Sequence, residues 1–218
     1  MAVSDRRLTW SDVENKSSLL YDWRALWSDA GYATCITYQK IKASLAKQPL
    51  LNAASSHDPN GLAEFGAINM DVQLKDRHTG HDNSSAKNFV HGTVMDMPFE
   101  NEKFASVILG EFLEHCSIEA ATKSVIECRR VLKPGGSLYM TLPLDGRPKW
   151  EQAVLDEHPD EPAEDTSPGV TPYHQTWWSN RMLADLAANT EFTEIERVPL
   201  VYALTCVLGG WGLTWIKR

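Results

Sequence analysis

The residues of this chain that can do chemistry fall at the ends of short apolar runs. Asp71 closes the run Ala67-Ile68-Asn69-Met70-Asp71-Val72, and a carboxylate ending a strand can accept both hydroxyls of a ribose. The run Leu50-Leu51-Asn52-Ala53-Ala54 opens into Ser55-Ser56-His57-Asp58-Pro59-Asn60-Gly61, where small side chains let the backbone come close to a ligand. His115 follows a further apolar run. Its imidazole titrates near neutrality and suits a general base on a hydroxyl or amine; packing or capping at the start of the next helix is the competing reading. His174, in Tyr173-His174-Gln175-Thr176-Trp177-Trp178, stands before another helical segment and either contacts a substrate or packs the helix entry. This set suits a nucleoside-containing ligand without choosing among nucleotides. His78 and His81 have the spacing of a metal pair, but no third ligand lies nearby, so no metal site is expected.

These residues need elements to hold them. Short runs over 50–54, 67–72, 89–94, 104–109 and 138–142 read as strands. Ile118, Ala121, Val125, Cys128 and Leu132 step by three and four, the spacing of one helix face, and Lys133-Pro134-Gly135-Gly136 ends that helix with turn chemistry. Ser179 caps a helix carrying Met182, Leu183 and Leu186. Residues 9–47 read as helical: Leu19, Leu20, Trp23, Leu26 and Trp27 recur at helical spacing, Gly31 interrupts, and Ile36, Tyr38, Ile41 and Leu45 continue up to Pro49. Residues 145–171 are proline-rich and acidic and read as an exposed excursion. Phe192 to Leu208 and Trp211 to Ile216 form a closing hairpin with Gly209-Gly210 at its turn. Strands alternating with helices and loops predict an α/β fold with a mainly parallel sheet, a C-terminal antiparallel hairpin and a helical N-terminal extension. The expected division is a helical cap over 1–47 and a sheet domain over 48–218, with an acidic loop inserted at 145–175.

Composition narrows the function. The 218 residues are 43% hydrophobic and 23% charged, values of a folded globular chain. The net charge of −8 argues against general nucleic-acid binding. Val198 to Ile216 carries no charge and is long enough to span a bilayer, but Pro199 and the glycines favour strands, so no membrane partner is expected. The four cysteines form no C-x-x-C pair, and the N-terminus has no apolar leader, so a reducing, cytoplasmic setting is expected.

Five segments together carry a resemblance. Gly92-Thr-Val-Met-Asp-Met-Pro-Phe99, Phe104-Ala-Ser-Val107, Glu111-Phe-Leu-Glu-His115, Arg130-Val-Leu-Lys-Pro-Gly-Gly136 and Thr141-Leu-Pro143 resemble the class I S-adenosylmethionine-dependent methyltransferases, and within them the small-molecule branch with LPF and RVLKPGG motifs. The resemblance covers roughly 49–218 and implies a three-layer Rossmann-like sheet, S-adenosylmethionine as cofactor, and methyl transfer to a small-molecule or sugar-like acceptor. It implies that Asp71, with Val72 beside it, meets the ribose; that the Val94 amide and the Thr93 side chain meet the adenine between Met95 and Met97; and that Ala54, Ser55, Ser56, Gly110 and Glu111 border the methionine part. Two positions depart from the family. Ala54-Ser55-Ser56-His57-Asp58 replaces a G-x-G-x-G loop, and Thr93 stands where an acid is usual. His57 and Asp58 then read either as compensating contacts to the cofactor carboxylate or as plain turn residues. Two other functions compete: a non-catalytic binding or scaffold protein on the same fold, and a nicotinamide-dependent oxidoreductase, which the missing G-x-G-x-x-G disfavours. The acceptor and the oligomeric state are not legible in the residues.

Overall fold

The apolar runs of the sequence lie side by side in one sheet. The computed structural model describes residues 33–56, 58, 60–75, 80–143, 168–170, 176, 178–201 and 209–218. Its strands are β1 (Leu50–Ala53), β2 (Ala67–Asp71), β3 (Phe89–His91), β4 (Phe104–Gly110), β5 (Leu132–Pro143), β6 (Phe192–Val201) and β7 (Gly209–Lys217). They lie in the order β3-β2-β1-β4-β5-β7-β6. β1 to β5 pair in parallel, and β7 runs antiparallel to both β5 and β6. The mainly parallel sheet with a C-terminal antiparallel pair is the expected one. The described helices are α1 (Ala33–Leu45), α2 (Ile118–Val131) and α3 (Asn180–Asn189).

Side-chain alternation along the central strands separates two cores. Leu51, Ala53, Val107 and Leu109 pack with Ala121, Val125 and Cys128 of α2 and Leu183 of α3. Leu50 and Ile108 point the other way and pack with Ala43 of α1. Helices therefore cover both faces of the sheet, giving three layers. Both faces being buried explains why β1 and β4 read as continuous apolar runs instead of alternating ones.

α2 begins at Ser117, whose side chain accepts the Ala120 N–H, and α3 at Ser179, whose side chain accepts the Met182 N–H. α1 is fastened to the C-terminal strands. The Tyr38 hydroxyl lies 3.2 Å from the Thr214 hydroxyl and donates to Glu196, and Lys42 pairs with the same carboxylate. Gly212 of β7 must be glycine here, because a Cβ would come within 2.7 Å of the Tyr38 ring.

Several boundaries differ from the sequence expectations. β3 ends at His91, because the Thr93 hydroxyl accepts the Met95 N–H and folds residues 93–96 into a turn. The Lys133-Pro134-Gly135-Gly136 stretch lies within β5: Leu132 pairs with Phe104, and pairing resumes with Ser137 opposite Ser106. Gly209 and Gly210 pair with Val201 and Leu200 inside the strand ladder, so they are not the hairpin turn. On α1, Tyr38, Gln39 and Ala43 face inward while Ile41 and Leu45 are exposed. The first helical stretch over 9–30, and most of the acidic excursion, lie outside the described residues.

Candidate functional site

β1 is flanked by β2 on one side and β4 on the other, so the strand order reverses there. In open α/β sheets the crevice beyond the carboxyl ends at such a reversal is where ligands bind. The loop after β1 enters this crevice in an unusual conformation. Ala54, Ser56 and Asp58 all have left-handed backbones, with φ of 54°, 49° and 57°. For residues with a Cβ this costs about 1–2 kcal/mol each. Hydrogen bonds from the neighbouring strand hold the shape. The Ser55 N–H donates to the Met70 carbonyl at 3.0 Å. The Ser56 N–H donates to the Asp71 carboxylate at 2.8 Å, and the other oxygen of Asp71 accepts the Gln73 N–H at 2.8 Å.

Below the loop runs a chain of buried polar groups. Asn52 of β1 donates to Asn69 of β2 at 2.8 Å, and Asn69 donates to Asp58 at 3.2 Å. The Asp58 carboxylate also accepts the N–H groups of Leu62 and Ala63, at 2.8 and 3.0 Å, and so caps the short 3-10 turn Leu62–Phe65. Asp58 is thus a turn residue with both oxygens engaged, as the plainer reading of the Asp-Pro-Asn-Gly segment expects.

The turn after β3 is fixed by α2. Arg130 donates to the carbonyls of Phe99 and Met97 at 2.7 and 3.0 Å, and Glu127 accepts the Met97 N–H at 3.0 Å. Arg130 and Glu127 also pair with each other. Burial pushes the Glu127 pKa up, but the Arg130 hydrogen bonds, the Met97 N–H and the Arg130 charge outweigh it and hold it below the usual carboxylate range. The arginine of the Arg130-to-Gly136 motif therefore braces the Met97-Pro98-Phe99 motif. Val94 and Met97 are buried in the core, while Met95 is only partly buried. Met97 is thus a core residue, and Met95 lies nearer the surface.

At the end of β4, Gly110 pairs with Thr141, and Glu111 turns the chain with φ of 49° while its N–H donates to the Thr141 carbonyl. His115 ends a short 3-10 turn, and its Nε2 lies 4.0 Å from the buried carboxylate of Glu114. The far side of the acidic excursion returns to this same loop. The Ser117 N–H donates to the Gly169 carbonyl, the Thr176 hydroxyl donates to the Cys116 carbonyl at 2.6 Å, and the Trp178 indole donates to the Leu113 carbonyl at 2.9 Å.

Residues 58–140 match the methyltransferase domain family. No curated protein matches the chain in sequence. Solved structures with the same fold include 1,6-didemethyltoxoflavin-N1-methyltransferase of Burkholderia thailandensis, determined with bound 1,6-didemethyltoxoflavin and S-adenosylhomocysteine. It is 16% identical with a TM-score of 0.61, over 100% of this chain and 93% of that one. Geranyl diphosphate methyltransferase, in complex with GPP and sinefungin, is 12% identical with a TM-score of 0.59, over 84% and 77% of the two chains. The [4+2]-cyclase SpnF is 14% identical with a TM-score of 0.56, over 84% and 81%. At these identities the likeness is one of fold.

The expected site residues fall at the carboxyl ends of neighbouring strands. Ala54, Ser55 and Ser56 follow β1, Asp71 and Val72 close β2, Thr93, Val94 and Met95 follow β3, and Gly110 and Glu111 close β4, four adjacent strands in the sheet. The Thr93 hydroxyl serves its own turn, accepting the Met95 N–H at 3.3 Å. His57, His78 and His174 lie outside the described residues. Among the described residues no group of His, Cys, Asp and Glu could hold a metal ion, and no helix is long and apolar enough to cross a membrane. Sequence reasoning missed Asn52 and Asn69. Their signal was present, a polar amide in the middle of an otherwise apolar run on each of two neighbouring strands.

Proposed function

We propose that the protein transfers a methyl group from S-adenosylmethionine to a small-molecule acceptor. The observation that carries this is the loop after β1. It holds a left-handed backbone at Ala54 and Ser56, as a glycine loop would, and is hydrogen-bonded to the acid that ends β2, which lies within the stretch 58–140 that matches the methyltransferase domain family. The residues present fit the cofactor. The Asp71 carboxylate, which shapes the loop by accepting the Ser56 and Gln73 N–H groups, is the strand-end acid this reading assigns to the ribose hydroxyls. The turn at 93–95 offers the Val94 backbone and the Met95 side chain to an adenine, and Ala54 to Ser56 with Gly110 and Glu111 offer small or turned backbone to the methionine end.

When bound, the cofactor supplies an electrophilic methyl group on its sulfonium. The chain supplies alignment and exclusion of water. His115, beside the buried Glu114 carboxylate, is the candidate to take a proton from an acceptor hydroxyl or amine, and Glu114 would stabilise the resulting imidazolium. His174 is the second candidate on the acceptor side; Thr176 and Trp178, which follow it in the chain, donate to the Cys116 and Leu113 carbonyls in the loop that carries His115. The acceptors printed for two structures of this fold, 1,6-didemethyltoxoflavin and geranyl diphosphate, support a small molecule. The acidic net charge argues in the same direction by disfavouring nucleic acid. The buried free thiols of Cys116 and Cys128 accord with a cytoplasmic setting.

The test is calorimetric titration with S-adenosylmethionine, followed by transfer of labelled methyl to a panel of small hydroxyl and amine acceptors. Saturable binding with turnover supports the proposal. A second reading, a binding protein without turnover, is favoured by the Cβ atoms carried at Ala54 and Ser56. It predicts binding without transfer to any acceptor.

A further inference from the structure

The α1 helix precedes the residues matched by the methyltransferase domain family, yet one of its side chains reaches the ligand edge of the sheet. Gln39 is 5% exposed. Its Nε2 donates to the Thr141 hydroxyl on β5 at 2.8 Å, and its Oε1 accepts from Asn60, in the loop after β1, at 2.6 Å. The same amide lies against the Cα of Gly110, so a Cβ at 110 would overlap it. Ala53 pairs with Leu109, which places the next residues, Ala54 and Gly110, side by side where the strand order reverses. Gln39 therefore spans the crevice, with the loop after β1 on one side and the ends of β4 and β5 on the other.

A primary amide is the side chain that can accept from one wall and donate to the other at once. Burying it is costly unless both bonds are made. α1 does not need it for anchorage, since Tyr38, Lys42 and Ala43 already fasten the helix to the sheet. A leucine in the same place would pack without that cost. We infer that Gln39 is a positioning residue: it ties Asn60 to Gly110 and Thr141, and so sets the distance between the two walls that border the methionine end of the cofactor. This rests on the methyltransferase reading above.

Calorimetry with S-adenosylhomocysteine on Gln39→Leu, Asn60→Ala and the double variant tests the inference, with the thermal midpoint measured alongside. Each single change removes the Gln39–Asn60 tie and should weaken binding about tenfold, and the double change should be no weaker than Gln39→Leu alone. A purely structural Gln39 would lower the thermal midpoint and leave the affinity of the folded protein unchanged. Parental affinity in both single variants, or fully additive losses in the double, overturns the inference. If Gln39→Leu does not fold, Asn60→Ala decides alone, and parental affinity there overturns it. A parent that binds no S-adenosylhomocysteine removes the methyltransferase reading and this inference with it; a binding parent with unaltered variants removes only the inference.

Discussion

The Ser56 N–H donates to the carboxylate of Asp71 at 2.8 Å, joining the loop after β1 to the acid that ends β2. Two elements that the sequence presents as separate cofactor-binding candidates are therefore one unit. The acid shapes the loop in addition to its proposed contact with the ribose, so its loss should act twice.

Asp71→Ala should weaken S-adenosylmethionine binding by more than tenfold. Losing hydrogen bonds to a charged acceptor costs about 1.5–3 kcal/mol, and the freed loop adds to that. Asp71→Asn keeps the shape but replaces one acceptor oxygen with a donor, so it should fall between parent and alanine. Calorimetry on the three proteins checks the order; equal dissociation constants would show that Asp71 does not face the ribose.

Restoring glycine at Ala54 and Ser56 together should raise stability more than affinity. The family pattern alone suggests tighter binding, because glycine adopts positive φ without Cβ strain. In the structure the chain's own hydrogen bonds already hold both residues left-handed, so the strain is a cost of folding. Relief of about 1–2 kcal/mol per residue, less the 0.5–1 kcal/mol entropy loss of glycine, leaves a net gain of roughly 1–2 kcal/mol for the pair. Differential scanning calorimetry should show a midpoint roughly 2–6 °C higher, with the dissociation constant within about threefold of the parent. A large gain in affinity at unchanged midpoint would mean that the loop is strained only on binding.

How much of this was legible in the residues follows from which forces act at each place. β1, β2 and β4 showed as apolar runs because both faces of a central parallel strand are buried. The α2 stripe through Ala121, Val125 and Cys128 showed because one face of that helix meets the sheet. α1 misled in part. Its spacing joined Tyr38 with Ile41 and Leu45; Tyr38 does turn inward, but its inward neighbour is Gln39, the two make polar bonds with Thr214 and Thr141, and Ile41 and Leu45 are left outside. The glycine pair at 209–210 misled likewise, since it sits in the β7 ladder and not at the turn. The site edge was predicted from strand ends alone. The Gln39–Asn60 and Asn69–Asp58 contacts beneath it join residues distant in sequence, which no local pattern reveals.

Arg130→Ala should destabilise the fold without touching the ligand edge directly. It strands the carbonyls of Met97 and Phe99 and leaves Glu127 without its cation. With one partly solvated site, a loss of about 2–3 kcal/mol is expected, or roughly 5–10 °C in the thermal midpoint. Arg130→Lys should recover only part of it, because an ammonium cannot reproduce the fork of bonds to Met97, Phe99 and Glu127. A midpoint unchanged in Arg130→Ala would mean that the brace is not needed.

Stability should fall in acid through carboxylates held low in the fold, Glu127, Glu194 and Glu196. Glu127 is held below the usual range as described, and Glu196 is held low chiefly by its hydrogen bond from Lys42, then by Thr214, against opposing burial. A carboxylate whose folded pKa is depressed contributes stability that is complete above its unfolded value, about 4.3, and is lost as pH falls through the folded value. The thermal midpoint should thus be nearly flat from about pH 7 to 5 and drop below about pH 4.5. Glu127→Gln should start lower at neutral pH and lose less on acidification. An acid profile of Glu127→Gln parallel to that of the parent would remove Glu127 from the account.

The most direct measurement of the central claim is calorimetric titration of the intact protein with S-adenosylhomocysteine, paired with a thermal shift. A methyltransferase site formed by the loop after β1, Asp71 and the 93–95 turn predicts one binding event per chain, saturating below about 1 mM. At a hundredfold excess over the dissociation constant the ligand adds about 2.7 kcal/mol, which should raise the thermal midpoint by roughly 5–10 °C. No heat and no shift at millimolar ligand would contradict the account.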